Sequence, residues 1–191
     1  LEMKGLPHWK DTVTAGLANK DTSTFSKADE AARALGIDTW DHHFARLESG
    51  DDYGWYFVMQ TNDPLRIDRV VALAEKVIPL DKIATGPAEE MGIGPAWANH
   101  RNLDFVLQGL RQFPGKAWPL IRAGIRSPVI RNRHMALKAL SAWGKDKWPP
   151  GAEGLLAKTL KDDPNKDVRG EIETLLAGKA IEEPKITSGK P

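Results

Sequence analysis

The sequence predicts an all-α protein built mainly of stacked helix pairs, and three observations predict it. The first is a repeat. Leu120, Ile121, Ile125, Leu137 and Leu140 are matched without a gap by Leu155, Leu156, Leu160, Ile172 and Leu175, 35 positions further on. A period of this size marks helix pairs that cannot bury their apolar sides alone and therefore stack. The second is a related match at a shift of 30 positions. It lays Arg101-Asn102 on Arg131-Asn132, Leu107 on Leu137 and Leu110 on Leu140. The third is punctuation: Asn62-Asp63-Pro64 reads as a helix start, Ser127-Pro128 and Asp162-Asp163-Pro164 as turns between helices, and Gly36, Ser49-Gly50 and Pro114-Gly115 as stops.

Taken in order, a Pro7-His8-Trp9 cluster leads into a short helix to about Ala18. Thr24-Phe25-Ser26 precedes an alanine-rich helix over Lys27–Leu35, and Asp38 is the expected N-cap of a helix carrying Trp40, Phe44 and Leu47. Residues 51–60 form the most apolar window. So short a run fits a buried strand or a buried helix, and the helical neighbours and the Asp51-Asp52 start favour the helix. After Pro64 a helix places Ile67, Val70, Val71, Ala74, Val77 and Ile78 on one stripe. Residues 79–95, rich in glycine and proline, are the longest irregular connection, with one short turn around Ala88–Met91. A loop of that length is functional or inserted, and this one could reach over the binding face as a lid or a partner contact.

A helix over 96–113 follows, with Leu103, Val106, Leu107 and Leu110 inward. The two matched pairs come next: Trp118–Ile125 with Val129–Trp143, and Gly154–Leu160 with Asp167–Ala177. With the helix after Pro64 as partner of 96–113, three pairs result, about the minimum for a continuous stacked core. The expected organisation is an N-terminal helical segment over 3–60 packed on the repeats, a repeat domain over 61–179, and a flexible tail over 180–191.

The composition narrows the function. The chain has 191 residues, 41% of them hydrophobic, with no apolar run near the roughly 20 residues that span a bilayer. Leu1-Glu2 ahead of Met3 reads as a cloning scar, and no basic-then-apolar export signal follows. Zero cysteines remove disulfides, zinc-thiolate sites and thiol nucleophiles, so the cytoplasm is the default compartment. The net charge of +1 conceals blocks: residues 1–95 carry 10 basic and 16 acidic side chains, whereas residues 96–148 carry 10 basic and only 2 acidic, Asp104 and Asp146. Two readings stand side by side. The basic middle meets an anionic partner, or it is neutralised by acidic groups of the same molecule.

The turn Ser127-Pro128 followed by Val129-Ile130-Arg131, and Asp163-Pro164 followed by Asp167-Val168-Arg169, each precede an inner helix of the Met135-Ala136-Leu137-Lys138-Ala139-Leu140 kind. This pattern resembles the HEAT-like repeats of the α-solenoids over residues 64–179, departing from them in the 79–95 insertion and in Gly170. The resemblance implies a short right-handed α–α superhelix with inner helices lining a concave face, and a scaffold for protein or nucleic-acid partners. One enzymatic branch of that family, the DNA alkylation-repair glycosylases, implies a basic groove with tryptophans and an aspartate. No family is recognised for 1–60.

The candidate partner-binding set is His100, Arg101, Arg131, Asn132, Arg133, His134 and Lys138 on the inner helices. Arginine forks suit carboxylate or phosphate oxygens, and a ladder of them could follow an acidic surface or a phosphate backbone. The plainer reading pairs Arg131 and Arg169 with carboxylates or helix ends of neighbouring repeats, and leaves Arg133 and Lys138 on a solvated face. Of seven tryptophans, Trp118 and Trp143 fall within the apolar pattern, whereas Trp97 and Trp148 lie beside glycine–proline loops and join the candidate set. Asp41-His42-His43 resembles a metal triplet, yet adjacent helical histidines diverge by about 100°. His43 reads instead as a half-buried surface residue. No glycine-rich phosphate loop, nucleophile elbow or His-Glu-x-x-His motif is present. The sequence therefore implies no catalytic residue, metal, cofactor or small-molecule substrate. It favours a non-enzymatic scaffold holding an acidic protein, with nucleic-acid binding, including a repair glycosylase, as the alternative.

Overall fold

A computed structural model describes residues 8–182, and their regular elements are all helical. The chain divides into two compact units, Leu1–Val58 and Met59–Pro191.

The first unit contains α1 (His8–Leu17), α2 (Thr22–Ala34), α3 (Trp40–Glu48) and the single turn α4 (Trp55–Val58). Helix α2 begins earlier than expected because Asp21 caps it. The carboxylate accepts from the Thr24 amide at 2.8 Å, satisfying a first-turn donor that has no partner inside the helix. Helices α1 and α2 meet at Gly16, where a Cβ would stand 2.6 Å from that of Ala28. Around this crossing Val13, Leu17, Phe25, Ala28 and Ala32 are buried together. The N-cap of α3 is Thr39 rather than Asp38, whose carboxylate reaches past it to the Trp40 amide at 2.9 Å. The 51–60 window is helical but broken: a 3-10 turn over Asp52–Gly54 precedes α4. Gly54 sits so close to α3 that a Cβ would lie 3.0 Å from the His43 carbonyl oxygen.

The second unit contains α5 (Pro64–Val77), α6 (Leu80–Ile83), α7 (Ala98–Leu110), α8 (Trp118–Ile125), α9 (Ile130–Trp143), α10 (Ala152–Asp162) and α11 (Lys166–Leu176). Asp63 and Pro64 open α5 as the sequence indicates, with the Asp63 carboxylate accepting from Leu65 N at 2.9 Å. Its buried stripe is Ile67, Val70, Leu73 and Ala74, and Val77 turns out to solvent. Helices α7, α9 and α11 pack in succession as one layer, and α5, α8 and α10 form a second layer against them. Between the layers Leu103, Leu107, Leu110, Leu120, Ile121, Leu137, Leu140 and Leu156 are fully buried. Each such side chain contributes about 1.5–3 kcal/mol, which makes this seam the main source of the unit's stability. Leu155 and Leu160, matched in sequence to Leu120 and Ile125, are only half-buried, because among the described residues no further pair packs on α10 in its layer. Gly124 marks the tightest crossing. A Cβ there would fall 2.7 Å from Leu107 Cδ1 and 2.9 Å from the Ala136 Cβ.

The 79–95 connection departs from expectation. Its helical turn is α6, not 88–91, and residues 86–90 run extended along the α8–α9 turn. Gly86 N donates to Arg126 O at 2.9 Å, Glu90 N to Pro128 O at 3.2 Å and Ile130 N to Glu90 O at 3.0 Å. A single parallel bridge pairs Glu90 with Val129. The segment is thus anchored to a turn rather than poised as a lid. The tail expected over 180–191 lies, from residue 183 on, outside the described residues. Before that point the Ile181 amide donates to Ser141 Oγ on α9 at 2.8 Å. No helix of the described residues is long and apolar enough to cross a membrane.

Candidate functional site

The turns that join α8 to α9 and α10 to α11 repeat the same pattern of hydrogen bonds. Ser127 Oγ accepts from Val129 N at 3.1 Å, and Asp163 Oδ1 accepts from Asn165 N at 2.9 Å. Arg133 Nη1 donates to the Ser127 and Pro128 carbonyls at 2.8 and 3.0 Å, and Arg169 Nη1 to the Asp163 and Pro164 carbonyls at 2.7 and 2.9 Å. The spacing of these turns is 36, one more than the apolar match, so Arg133 and not Arg131 is the counterpart of Arg169. Each arginine thus holds two carbonyls of the turn that precedes its own helix, and Pro128 O accepts from Glu90 N as well.

Arg133 also reaches into the next pair. Its Nε lies 2.8 Å from Asp163 Oδ2 and its Nη2 donates to Oδ1 at 3.2 Å, with both side chains essentially inaccessible. A solvated position for Arg133 is therefore wrong. The residue lies on the apolar stripe of α9, and its charge is held inside by Asp163. His100 and Asn132 are likewise interior. His100 Nδ1 lies 3.0 Å from Ser127 Oγ and 3.1 Å from Asn132 Oδ1, while Asn132 Nδ2 donates to the His100 carbonyl at 2.8 Å. Burial holds the His100 imidazole below its ordinary pKa, with the Asn132 hydrogen bond opposing. His100 and Asn132 join α7 to α9, Arg133 ties α9 to the α10–α11 turn, and all three are buried away from any partner in the folded chain.

The rest of the candidate set lies at the surface. Arg101 is exposed on α7 and carries no side-chain partner among the described residues. Arg131 is exposed on α9 and donates through Nε to Asp104 Oδ2 at 2.7 Å. That carboxylate, buried on α7, also accepts from Gln108 at 2.9 Å. His134 Nδ1 meets Glu171 Oε2 of α11 at 2.7 Å, and Lys138 is half-buried. Part of the basic excess is thus answered within the second unit itself: Lys116 pairs with Asp68, Arg131 with Asp104, Arg133 with Asp163 and Lys145 with Glu153. On the layer of α7, α9 and α11, Arg131 and His134 are each met by a carboxylate, of Asp104 and of Glu171. Asp104, the carboxylate a glycosylase reading would use, is buried and already engaged.

Three of the tryptophans close helix ends. Trp143 Nε1 donates to Leu110 O at the end of α7, Trp148 Nε1 to Leu140 O in the last turn of α9, and Trp40 Nε1 to Val58 O at the end of α4, each at 2.8 Å. An indole has one donor and a large apolar body, which suits a half-dry carbonyl. Trp97 is half-buried with its ring 5.0 Å from that of His100.

The first unit holds a polar cluster that the sequence reading did not single out. Asp29 is 2% exposed and accepts from Thr39 Oγ1 at 2.7 Å, while His43 Nε2 donates to its Oδ1 at 2.9 Å and Arg33 Nη2 lies 3.0 Å from Oδ2. His43, expected half-exposed, is buried between Phe57, stacked at 4.5 Å, and the edge of Phe25 at 5.0 Å. Burial lowers its pKa, and the Asp29 hydrogen bond opposes that shift. A cavity of about 100 Å³ opens beside the pair. The signal was present: Asp29 follows Phe25 by four and His43 precedes Leu47 by four, which sets both polar groups on apolar stripes. Among the described residues no group of three His, Asp or Glu could hold a metal ion.

Chemically, the molecule offers buried polar ties between helices, a mixed-charge helical layer and, among the described residues, no assembled nucleophile–base pair facing an open cleft. Its class is an all-helical protein of layered helix pairs. Comparison with known proteins finds no matching family model, no similar curated protein and no similar solved structure.

Proposed function

We propose that the second unit is a short HEAT-like α-solenoid, a right-handed superhelix of three helix pairs that acts as a non-enzymatic scaffold in the cytoplasm. What carries this reading is the repeated turn, in which Arg133 and Arg169 cap equivalent carbonyls 36 positions apart, together with the consecutive packing of α7, α9 and α11. In this reading those three helices line the concave face. Arg101, Arg131, His134 and Lys138 hold a protein partner, with Trp97 and Trp148 at the margins. The interleaved pairs Arg131–Asp104 and His134–Glu171 favour a protein surface with acidic groups set among neutral ones. A continuous phosphate backbone would meet Glu171 along with cations already held by carboxylates, so nucleic acid is the weaker alternative.

The test compares the proteins captured from cell extract by the wild-type chain and by a variant with Arg101→Glu and Lys138→Glu, both folded by circular dichroism. At least one captured protein should be lost from the variant. Identical sets would remove this face from the account. A labelled DNA duplex that binds at low salt and dissociates steeply as salt rises would favour the nucleic-acid alternative.

A further inference from the structure

A groove of about 530 Å³ lies on the other layer of the second unit, between α8 and the α5–α6 region. Its volume falls in the range of ligand-binding clefts. Ile78, Leu80 and Pro119 contribute apolar lining, and its cations are Lys76, Lys82, Arg122 and Arg126. We propose that this groove docks an extended acidic segment of another protein, with carboxylates on Arg122 and Arg126 and apolar side chains against the lining.

Four observations lead there. Arg122 in the last turn of α8 and Arg126 at its C-cap stand four apart and are both exposed, and like charges at that spacing repel. Neither side chain has an ion-pair or hydrogen-bond partner among the described residues, nor has that of Lys76 or Lys82, while Lys116, Arg131, Arg133 and Lys145 of the same unit are all paired. The C-terminal dipole of α8 accounts for a cation in its last turn, but not for two lysines contributed from outside that helix. Glu75 and Asp81 line the same groove and pair with neither arginine. They disfavour a continuous polyanion and leave room for a chain whose charges alternate with neutral residues. The spacing also fits. Side chains four apart on a helix stand about 5–6 Å apart at Cβ, and alternate residues of an extended peptide rise about 6.6 Å, so two carboxylates of a Glu-x-Glu sequence can each take one guanidinium.

The test uses the full chain and a fluorescein-labelled peptide of alternating Glu and Ala, read by fluorescence anisotropy at low salt. Controls are the peptide with Gln in place of Glu and an oligothymidylate of similar length. Wild-type protein should bind the Glu peptide and not the Gln peptide. Arg122→Glu with Arg126→Glu should weaken binding at least about tenfold, and the milder Arg122→Gln with Arg126→Gln, folded by circular dichroism, should weaken it in the same direction. Arg101→Glu with Lys138→Glu, on the opposite layer, should leave it unchanged, which separates this groove from the face proposed above. Absence of Glu-peptide binding by the wild type, equal binding by both arginine variants, or tighter binding of oligothymidylate would each overturn the proposal.

Discussion

Replacing Arg133 should be one of the most damaging single changes in the second unit, and the cost can be worked from its contacts. Arg133→Ala leaves the Asp163 carboxylate, 3% exposed, with the Asn165 amide at 2.9 Å as its remaining donor. Breaking a buried pair from one side costs about 3–5 kcal/mol. The Ser127 and Pro128 carbonyls lose their guanidinium donor as well, roughly 1 kcal/mol each at partial burial. Arg169 is the internal control. It makes the same two carbonyl bonds at 2.7 and 2.9 Å but is half-exposed and has no counter-ion among the described residues, so Arg169→Ala should cost only about 1–2 kcal/mol. Urea denaturation followed by far-UV circular dichroism measures both. The double change Arg133→Met with Asp163→Leu should recover most of the loss, because the desolvation penalty leaves with the pair. Equal destabilisation by Arg133→Ala and Arg169→Ala, or a double variant as weak as the single, would refute the reasoning.

Two further outcomes concern stability. Gly170 lies within α11, and a Cβ at that position would meet nothing within 4 Å, so Gly170→Ala should raise stability by about 0.8–1 kcal/mol through helix propensity, read as a higher urea midpoint at unchanged slope. The pH dependence follows from His43 and His100, both held below the ordinary 6.5 mainly by burial. As pH falls through about 6.5 the unfolded chain takes up these protons and the folded chain resists, so stability is full above that pH and declines below it. Urea midpoints at about pH 7.5 and 5.5 check this. A midpoint that holds or rises toward the lower pH would contradict it.

How much was legible in the sequence depends on which kind of signal each residue sent. The helices of the second unit were legible because their apolar residues recur at helical spacing, Asp63-Pro64 opens α5, and Ser127-Pro128 and Asp163-Pro164 mark the turns before α9 and α11. The boundary of α2 was missed because Asp21 is followed by a run of small polar residues with no periodicity of its own. Among the candidates, Arg133 was misplaced although its position spoke clearly. It precedes Leu137 by four and Leu140 by seven, so it sits on the buried stripe, and only charge argued for the surface. Asp29 and His43 carry the same kind of signal in the first unit. The pairing of Arg131 with Asp104 was not readable in detail, since it depends on how α7 and α9 are rotated against each other. The path of residues 86–90 was hidden for a different reason: its hydrogen bonds use backbone groups, which leave no mark on side-chain pattern.

That path has a consequence for the order in which the protein can assemble. By bonding to Arg126–Ile130, the segment before α7 closes a loop that carries the whole of α7 and α8. Closing such a loop costs chain entropy before any of its contacts repay it. On a ribosome the N-terminal parts emerge first, yet this clasp cannot form until residue 130 has been made. Met91 and Ile93, exposed even in the finished fold, therefore wait in an unanchored chain through the synthesis of two helices. The first helix pair is completed only when the turn of the second arrives to hold it.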